Sequence, residues 1–273
     1  MLAIGGSDSG GGAGIEADIK TVTVLGGFAM TAITAVTAQD TRGVHGVSLV
    51  PADIVRRAIT AVLDDIGADA VKIGMLGGAA QAEAVADALA CRCDLPVLVI
   101  DPVIRSSSGT DLLDAEGRSV LVRRLLPRAT LLTPNLPEAE TLLGRRIEGA
   151  KAMQAAGAAL RAAGAGSVLI TGGHGAGEIL TDVLVHAGGV RSFTAHRQLT
   201  RHTHGTGCTL AAAIATALAN GMPLVDAVAF GHTFLQRALA GAPGFGQGAG
   251  PLGHAVAAGF GFCLSAGDER DSE

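Results

Sequence analysis

His202-Thr203-His204-Gly205-Thr206-Gly207-Cys208-Thr209-Leu210-Ala211-Ala212-Ala213-Ile214-Ala215-Thr216-Ala217-Leu218-Ala219-Asn220-Gly221 takes a glycine-rich turn straight into a helical pattern. Leu210, Ala211, Ile214, Ala215 and Leu218 recur on one face, and Asn220-Gly221 followed by Pro223 closes the run. Backbone N–H groups at Gly205 and Gly207 are free to converge on an anion, and the helix start adds unpaired donors and positive potential. The stretch reads as a phosphate seat, with Gly205, Thr206 and Gly207 as its donors and His202 and His204 just upstream. Cys208 falls in the first helical turn, where the helix dipole favours a thiolate, so it is the candidate proton acceptor. A Gly-Thr-Gly turn or a lone cysteine would each be unremarkable. Their occurrence at one junction carries the reading.

The rest of the chain suits a helix-covered parallel sheet. Its 273 residues are enough for one large α/β domain, and the apolar 48% is Ala, Val, Leu and Ile with no Trp or Tyr. A net charge of −5 and the lack of any concentrated basic run argue against a nucleic-acid partner and for a small molecule. Cys91, Cys93, Cys208 and Cys263 form no disulfide framework, and Cys91-x-Cys93 has no second pair at zinc spacing. The N-terminus has neither a basic leader nor a cleavage site, and no apolar run reaches membrane length. A cytoplasmic protein with no membrane partner is the expectation.

In chain order, Leu2 to Ile4 reads as a buried strand ahead of Gly5-Gly6-Ser7-Asp8-Ser9-Gly10-Gly11-Gly12-Ala13-Gly14. This run does not supply the Gly-x-Gly-x-x-Gly spacing of a dinucleotide site from Gly10 or from Gly11. In the helix that follows, Asp18 shares a face with Ile15, Ile19 and Val22. A carboxylate there is costly without a partner. It is either wet at the rim of that face or an acceptor for a ligand's amino or hydroxyl group.

Met30 to Ala38 reads as a strand, with Gln39 just past its end, where ligands of open α/β sheets bind and where an amide can pair with a heteroaromatic ring. A helix over 52–66 leads to strand Val71-Lys72-Ile73, and Met75 beyond it is either core filler or an apolar pocket wall. Strands over 97–100 and 130–133 deliver Asp101 and the Asn135/Glu138 pair to one edge, oxygen ligands of the kind Mg²⁺ shares with phosphates. Between them, residues 105–109 form a loop able to close over reacting groups. A helix over 149–163 and a strand over 168–170 precede Thr171-Gly172-Gly173-His174. Residues 179–185 and 190–195 form a hairpin, which adds an antiparallel edge to the sheet. A last helix spans 224–239. No linker divides residues 1–266, and the polar residues 267–273 are expected to be a disordered tail.

Taken together, Gly5 to Asp18, Ala38 to Val44, Lys72 to Leu76, Asp101-Pro102-Val103, Thr133 to Ala139 and His204 to Cys208 resemble the hydroxymethylpyrimidine/phosphomethylpyrimidine kinases of thiamine biosynthesis, in the ribokinase superfamily. The likeness runs from about residue 2 to 254, with six motifs in order. It implies one three-layer α/β/α ribokinase-like sandwich and transfer of phosphate from ATP to the hydroxymethyl of 4-amino-5-hydroxymethyl-2-methylpyrimidine, then to its monophosphate. On this likeness Gln39, Asp18, Gly6, Met75 and Val103 bind the pyrimidine, and Cys208 is the base. Gly205, Thr206, Gly207, His204, Thr171 and Gly172 hold ATP and its phosphates. Asp101, Asn135 and Glu138 hold Mg²⁺, and a homodimer is the expected assembly.

Three positions depart from the family pattern: Thr171 replaces a lysine before Gly-Gly-His, Ser107 replaces a lysine in the lid loop, and Asp40 replaces an asparagine. Arg105, Arg197 or Arg201 is expected to supply the missing positive charge. The alternatives are a pyridoxal kinase of the same superfamily, although residues 103–109 lack the second cysteine of that branch, and a pyrimidine-binding sensor without catalysis.

Overall fold

The structure is a computed structural model and describes residues 1–90, 92, 97–106, 109–173 and 177–259. Cys91, Cys93, Cys263, Ser107, His174 and the tail therefore lie outside the described residues. Nine strands form one sheet: β1 (Leu2–Asp8), β2 (Met30–Asp40), β3 (Gly43–Leu49), β4 (Val71–Ile73), β5 (Leu98–Ile100), β6 (Leu131–Leu132), β7 (Val168–Ile170), β8 (Ile179–His186) and β9 (Gly189–His196). Their order across the sheet is β3-β2-β1-β4-β5-β6-β7-β8-β9. β2, β1, β4, β5, β6 and β7 are parallel, and the β8–β9 hairpin adds the expected antiparallel edge.

The central strands are apolar on both faces because both faces are covered. Leu2, Ile4, Ile73 and Ile100 point into one core with Val55 and Ile59 of α2 (Ala52–Asp65), Val85 of α3 (Ala79–Ala90), and Met153 and Leu160 of α6 (Gly149–Ala162). Between α3 and α6, α4 (Ala115–Val120) and α5 (Leu136–Leu143) cover the same face. Ala3, Val99, Leu131 and Leu169 point the other way, onto Ile15 and Val22 of α1 (Gly14–Val24), Leu210 and Ile214 of α7 (Thr206–Ala219), and Val228 of α8 (Leu224–Ala240). Three layers result, α/β/α. This is the three-layer arrangement that the resemblance implied.

One strand was not foreseen. β3 pairs antiparallel with β2 and gives the sheet a second antiparallel edge. Gly43-Val44-His45-Gly46-Val47-Ser48-Leu49 is half-buried or exposed throughout, so no buried face writes an alternating pattern into it. β1 is also longer than Leu2 to Ile4. It carries Gly5-Gly6 within the strand, with a register shift between them, before the glycine loop begins. After β1 the chain crosses to β2 on one side and then returns to β4 on the other. That reversal opens a crevice at the carboxyl ends of the strands, where ligands of such sheets bind.

Candidate active site

The crevice holds a cavity of about 640 Å³. Its lining includes Gly6, Asp18, Gln39, Met75, Asp101, Val103, Asn135, Glu138, His204, Gly205, Thr206, Gly207 and Cys208. Residues separated by some 200 positions thus meet at the carboxyl ends of the parallel strands. Gly6 and Gln39 are still within β1 and β2, so Gln39 is not past its strand's end as expected. Asp18 and Glu138 sit in α1 and α5, and Cys208 in the first turn of α7. Thr171 and Gly172 are absent from that lining. Thr171 bridges to Asn135 and donates its N–H to Pro134 O at 3.0 Å, and Gly172 donates to Asp182 Oδ1 at 2.8 Å.

At the start of α7 no side chain caps the helix, and Gly205, Thr206, Gly207 and Cys208 line the cavity, with Thr206 N–H given to Thr203 O at 3.4 Å. Gly205 has φ of 86°, and a Cβ on it would overlap the carbonyl oxygen of Gly12. At Gly12, a Cβ would come within 2.6 Å of His204 Cδ2. The glycine run after β1 is therefore there so that its backbone can pack against the α7 turn. Asp8 organises that run: Oδ1 accepts the Gly10 N–H at 2.8 Å, and Oδ2 accepts those of Gly12 and Ala13 at 3.0 and 2.8 Å. His204 Nε2 lies 2.9 Å from the same Oδ2, tying the two loops together. His204 is thus a brace between loops, next to the glycine turn that opens α7.

Lys72 is the residue that sequence reasoning missed. Its ammonium is 2.9 Å from both Asp18 oxygens, and both side chains are buried to within 1% of their surface. Asp18 is therefore neither wet at a rim nor waiting for a ligand group: its partner is a lysine 54 positions away. Burial pushes the Asp18 carboxyl up to about 6 even with Lys72 pulling it down. For Lys72, burial lowers the pKa, but the surrounding charges of Asp18, Cys208 and Asp101 outweigh it and hold the ammonium above the ordinary lysine range. A lysine between Val71 and Ile73 in a buried three-residue strand was the available signal.

The same neighbourhood corrects the expectation for Cys208. Desolvation pushes its thiol up to about 12, Asp101 and Asp18 add to the rise, and only Lys72 and a backbone hydrogen bond from Gly14 oppose it. Cys208 is a neutral thiol at rest. The helix dipole acts on it, but burial beside two carboxylates wins.

Asp101 is buried, its Oδ2 has no hydrogen-bond partner, and burial raises its pKa. Glu138 is pushed up to about 8 by burial first and by the Asp101 charge second. Asn135 and Glu138 form a capping box at the start of α5: Glu138 N–H donates to Asn135 Oδ1 and Asn135 N–H to Glu138 Oε2, each at 2.9 Å. The box engages Asn135 Oδ1 and Glu138 Oε2 alike, and Asp101, Asn135 and Glu138 all line the cavity. Among the described residues no three His, Cys, Asp or Glu side chains converge as a closed metal site.

At the other end of the cavity Met75 packs with Ala35, Leu112 and Val103 as a small apolar wall. Gln39 stands across from it beside His204 and Thr37. Of the three arginines expected to compensate for missing lysines, Arg105 lines the cavity, with its Nε donating to Asp111 Oδ1 at 2.8 Å. Arg197 donates to Gly173 and Gly177 carbonyls and Arg201 to Gly246 O, away from that lining. Arg118, not singled out from sequence, also lines it.

Residues 8–253 match the family described as Phosphomethylpyrimidine kinase. The chain is 45% identical over 256 residues to a hydroxymethylpyrimidine/phosphomethylpyrimidine kinase of Rhizobium meliloti, covering 93% of this chain and 96% of that one. It is 44% identical over 258 residues to the Thiamine biosynthesis bifunctional protein ThiED of Geobacter sulfurreducens, covering 94% of this chain and about half, 52%, of that longer protein. Among solved structures it is similar to a pyridoxal kinase from Staphylococcus aureus in complex with AMP-PCP and pyridoxal. That match has a TM-score of 0.85 and 30% identity and covers 93% of each chain.

Proposed function

The chain belongs to the phosphomethylpyrimidine kinase family, and from that membership and the cavity we infer that it transfers the γ-phosphoryl of ATP to the hydroxymethyl of 4-amino-5-hydroxymethyl-2-methylpyrimidine and then to the resulting monophosphate, in thiamine biosynthesis. The observation that carries the site reading is the shared cavity. It joins an uncapped helix start and a thiol to an amide-and-apolar ring pocket, with two carboxylates between them.

Phosphoryl transfer through a loose transition state is mostly positioning and charge stabilisation. Met75 and Val103 confine a planar ring, and Gln39 pairs with its polar edge. The Gly205, Gly207 and Cys208 amides are the donors for charge spreading over the transferred oxygens, Thr206 N–H being given to Thr203 O. Cys208 faces the attacking hydroxyl. A neutral thiol has no site for a second proton, so Cys208 acts as base only in its thiolate form. The Lys72 ammonium is the group of this chain that favours that form, against desolvation.

The donor set fits Mg²⁺, with an unpartnered buried Asp101 oxygen and a Glu138 carboxyl that the Asp101 charge raises. Asp101 and Glu138 would hold the ion, which supplies charge neutralisation for the triphosphate. Arg105 is the cation at the lid side of the cavity.

Product masses after incubation with Mg-ATP and either this pyrimidine or pyridoxal test the assignment, and phosphorylation of pyridoxal alone would overturn it. The pyridoxal reading keeps one observation in its favour, the structural likeness to the Staphylococcus aureus enzyme. Cys208→Ala should lower kcat by about 10²- to 10⁴-fold with little change in the pyrimidine KM. Equal effects on both would remove the proposed role.

A homodimer is part of the same proposal. Val36, Val47 and Leu49 leave apolar surface at the β2–β3 edge. Light scattering should give twice the chain mass, and a monomer would refute it. No helix among the described residues is long and apolar enough to cross a membrane. With no basic run to hold a nucleic acid, a small-molecule enzyme of the cytoplasm is the reading we adopt.

A further inference from the structure

We propose that His204 is a positioning residue that fixes which end of the Gln39 amide meets the substrate ring, and so sets the enzyme's choice between rings whose donors and acceptors are exchanged. This rests on the pyrimidine reading of the Gln39 pocket. As placed, the amide sets its Nε2 3.0 Å from His204 Nε2 and its Oε1 3.3 Å from Thr37 Oγ1. The oxygen and nitrogen ends of an amide have the same shape, so the neighbouring donors and acceptors decide between them.

Both neighbours decide the same way. His204 Nε2 is also 2.9 Å from Asp8 Oδ2, a carboxylate oxygen that already accepts two backbone N–H groups and cannot donate. Nε2 therefore carries the hydrogen and is a donor. An amide nitrogen at that end would set donor against donor, whereas the carbonyl accepts. At the other end the single Thr37 hydroxyl hydrogen is committed to Ser7 O at 2.9 Å, so Oγ1 meets Gln39 as an acceptor and requires the amide nitrogen. Turned over from that placement, the amide puts its carbonyl at His204, sharing the single Nε2 hydrogen with Asp8 Oδ2, and its amino group at the Thr37 acceptor. As placed, it sets nitrogen against a donor and oxygen against an acceptor.

With each end tied once, Gln39 has one acceptor lone pair and one N–H left for the cavity, in a fixed left-to-right order. A 4-aminopyrimidine offers a ring-nitrogen acceptor beside an amino donor. Its 4-oxo counterpart exchanges them, with a ring N–H beside a carbonyl. A free glutamine would turn over to suit either ring. The ring cannot turn over instead, because its hydroxymethyl has to point at Cys208. Held in place, Gln39 leaves two mismatched buried pairs with the wrong ring, a cost that hydrogen-bonding sites convert into large discrimination.

The test uses the purified full chain and the two rings, 4-amino- and 4-oxo-5-hydroxymethyl-2-methylpyrimidine. It reads kcat/KM for each and, independently of turnover, the binding of each by calorimetry without nucleotide. The wild type should favour the amino ring by about 100-fold or more. His204→Phe, and separately Thr37→Val on a different strand, should bring the ratio within about tenfold by improving the oxo ring relative to the amino ring. His204→Gln, which restores an N–H between Asp8 and Gln39, should recover discrimination. Variants that weaken both rings equally, with the ratio unchanged, would overturn the proposal, as would a wild type indifferent to the exchange. If His204→Phe does not fold, Thr37→Val carries the same comparison. A wild type that phosphorylates neither ring yet binds them with the expected ratio would sink the kinase assignment and support the lock.

Discussion

Lys72→Met is expected to destabilise the fold by about 3–5 kcal/mol at neutral pH, because it strands a buried carboxylate that has no other cation. Asp18 is fully buried and gives both oxygens to Lys72, and Asp101 and Cys208 also lie within reach of that ammonium. The loss should grow with pH. In the wild type Asp18 is already raised from 3.8 to about 6, and removing the cation that lowers it lifts it further. A carboxyl raised in the folded state binds more protons there than in the unfolded chain, so stability falls as pH climbs from the unfolded value through the folded one. Urea melts at pH 5, 7 and 8 should show the smallest deficit at pH 5. A deficit independent of pH would mean that lost packing rather than stranded charge is responsible. Adding Asp18→Leu to Lys72→Met should recover part of the loss, since no carboxylate then faces an apolar neighbour at that position.

Gly205→Ala is the second large effect. Its backbone is left-handed, with φ of 86°, and the new methyl would collide with the Gly12 carbonyl, so the α7 turn has to move away from the glycine loop. A displacement near 1 Å at the phosphate seat should cost about 100-fold in turnover. Gly144→Ala is the control. It has φ of 65° at the end of α5 with nothing within 4 Å of the added methyl, so it should cost about 1–2 kcal/mol of stability and no activity. Equal activity losses in the two variants would show that the collision with Gly12 is not what matters.

What the residues told in advance, and what they did not, divides along physical lines. A strand buried on both faces, such as Val168–Ile170, writes a continuous apolar run and was legible to the residue, and Val71–Ile73 was legible in spite of the Lys72 inside it. β3 was not, because an exposed edge strand needs no such run. The glycine run was rightly refused as a dinucleotide motif, but its purpose depends on Gly12 meeting a turn some 190 positions later. Asp18 was flagged as needing a partner, yet no spacing rule names a lysine on another strand. Asn135 and Glu138 carried their own signal: an Asn with a Glu three residues on, before an apolar run, is a helix-cap signature, and it competes with the metal reading. The thiol's position at a helix start was correct and its inferred ionisation was not, because burial beside carboxylates depends on residues that only the fold brings together.

Every residue of α7 from Thr209 to Ala217 is buried, so the helix that opens at Gly205 has no solvent face along that stretch. A sheathed rod of this kind cannot recoil. As negative charge builds on a departing phosphoryl, the amides at its tip stay aimed where folding left them, and no local rearrangement dilutes their pull. The stiffness has a corollary for change over generations. Side chains around the ring pocket are free to drift toward new substrates, while the rod beneath the phosphate admits almost no substitution larger than the alanines it is made of.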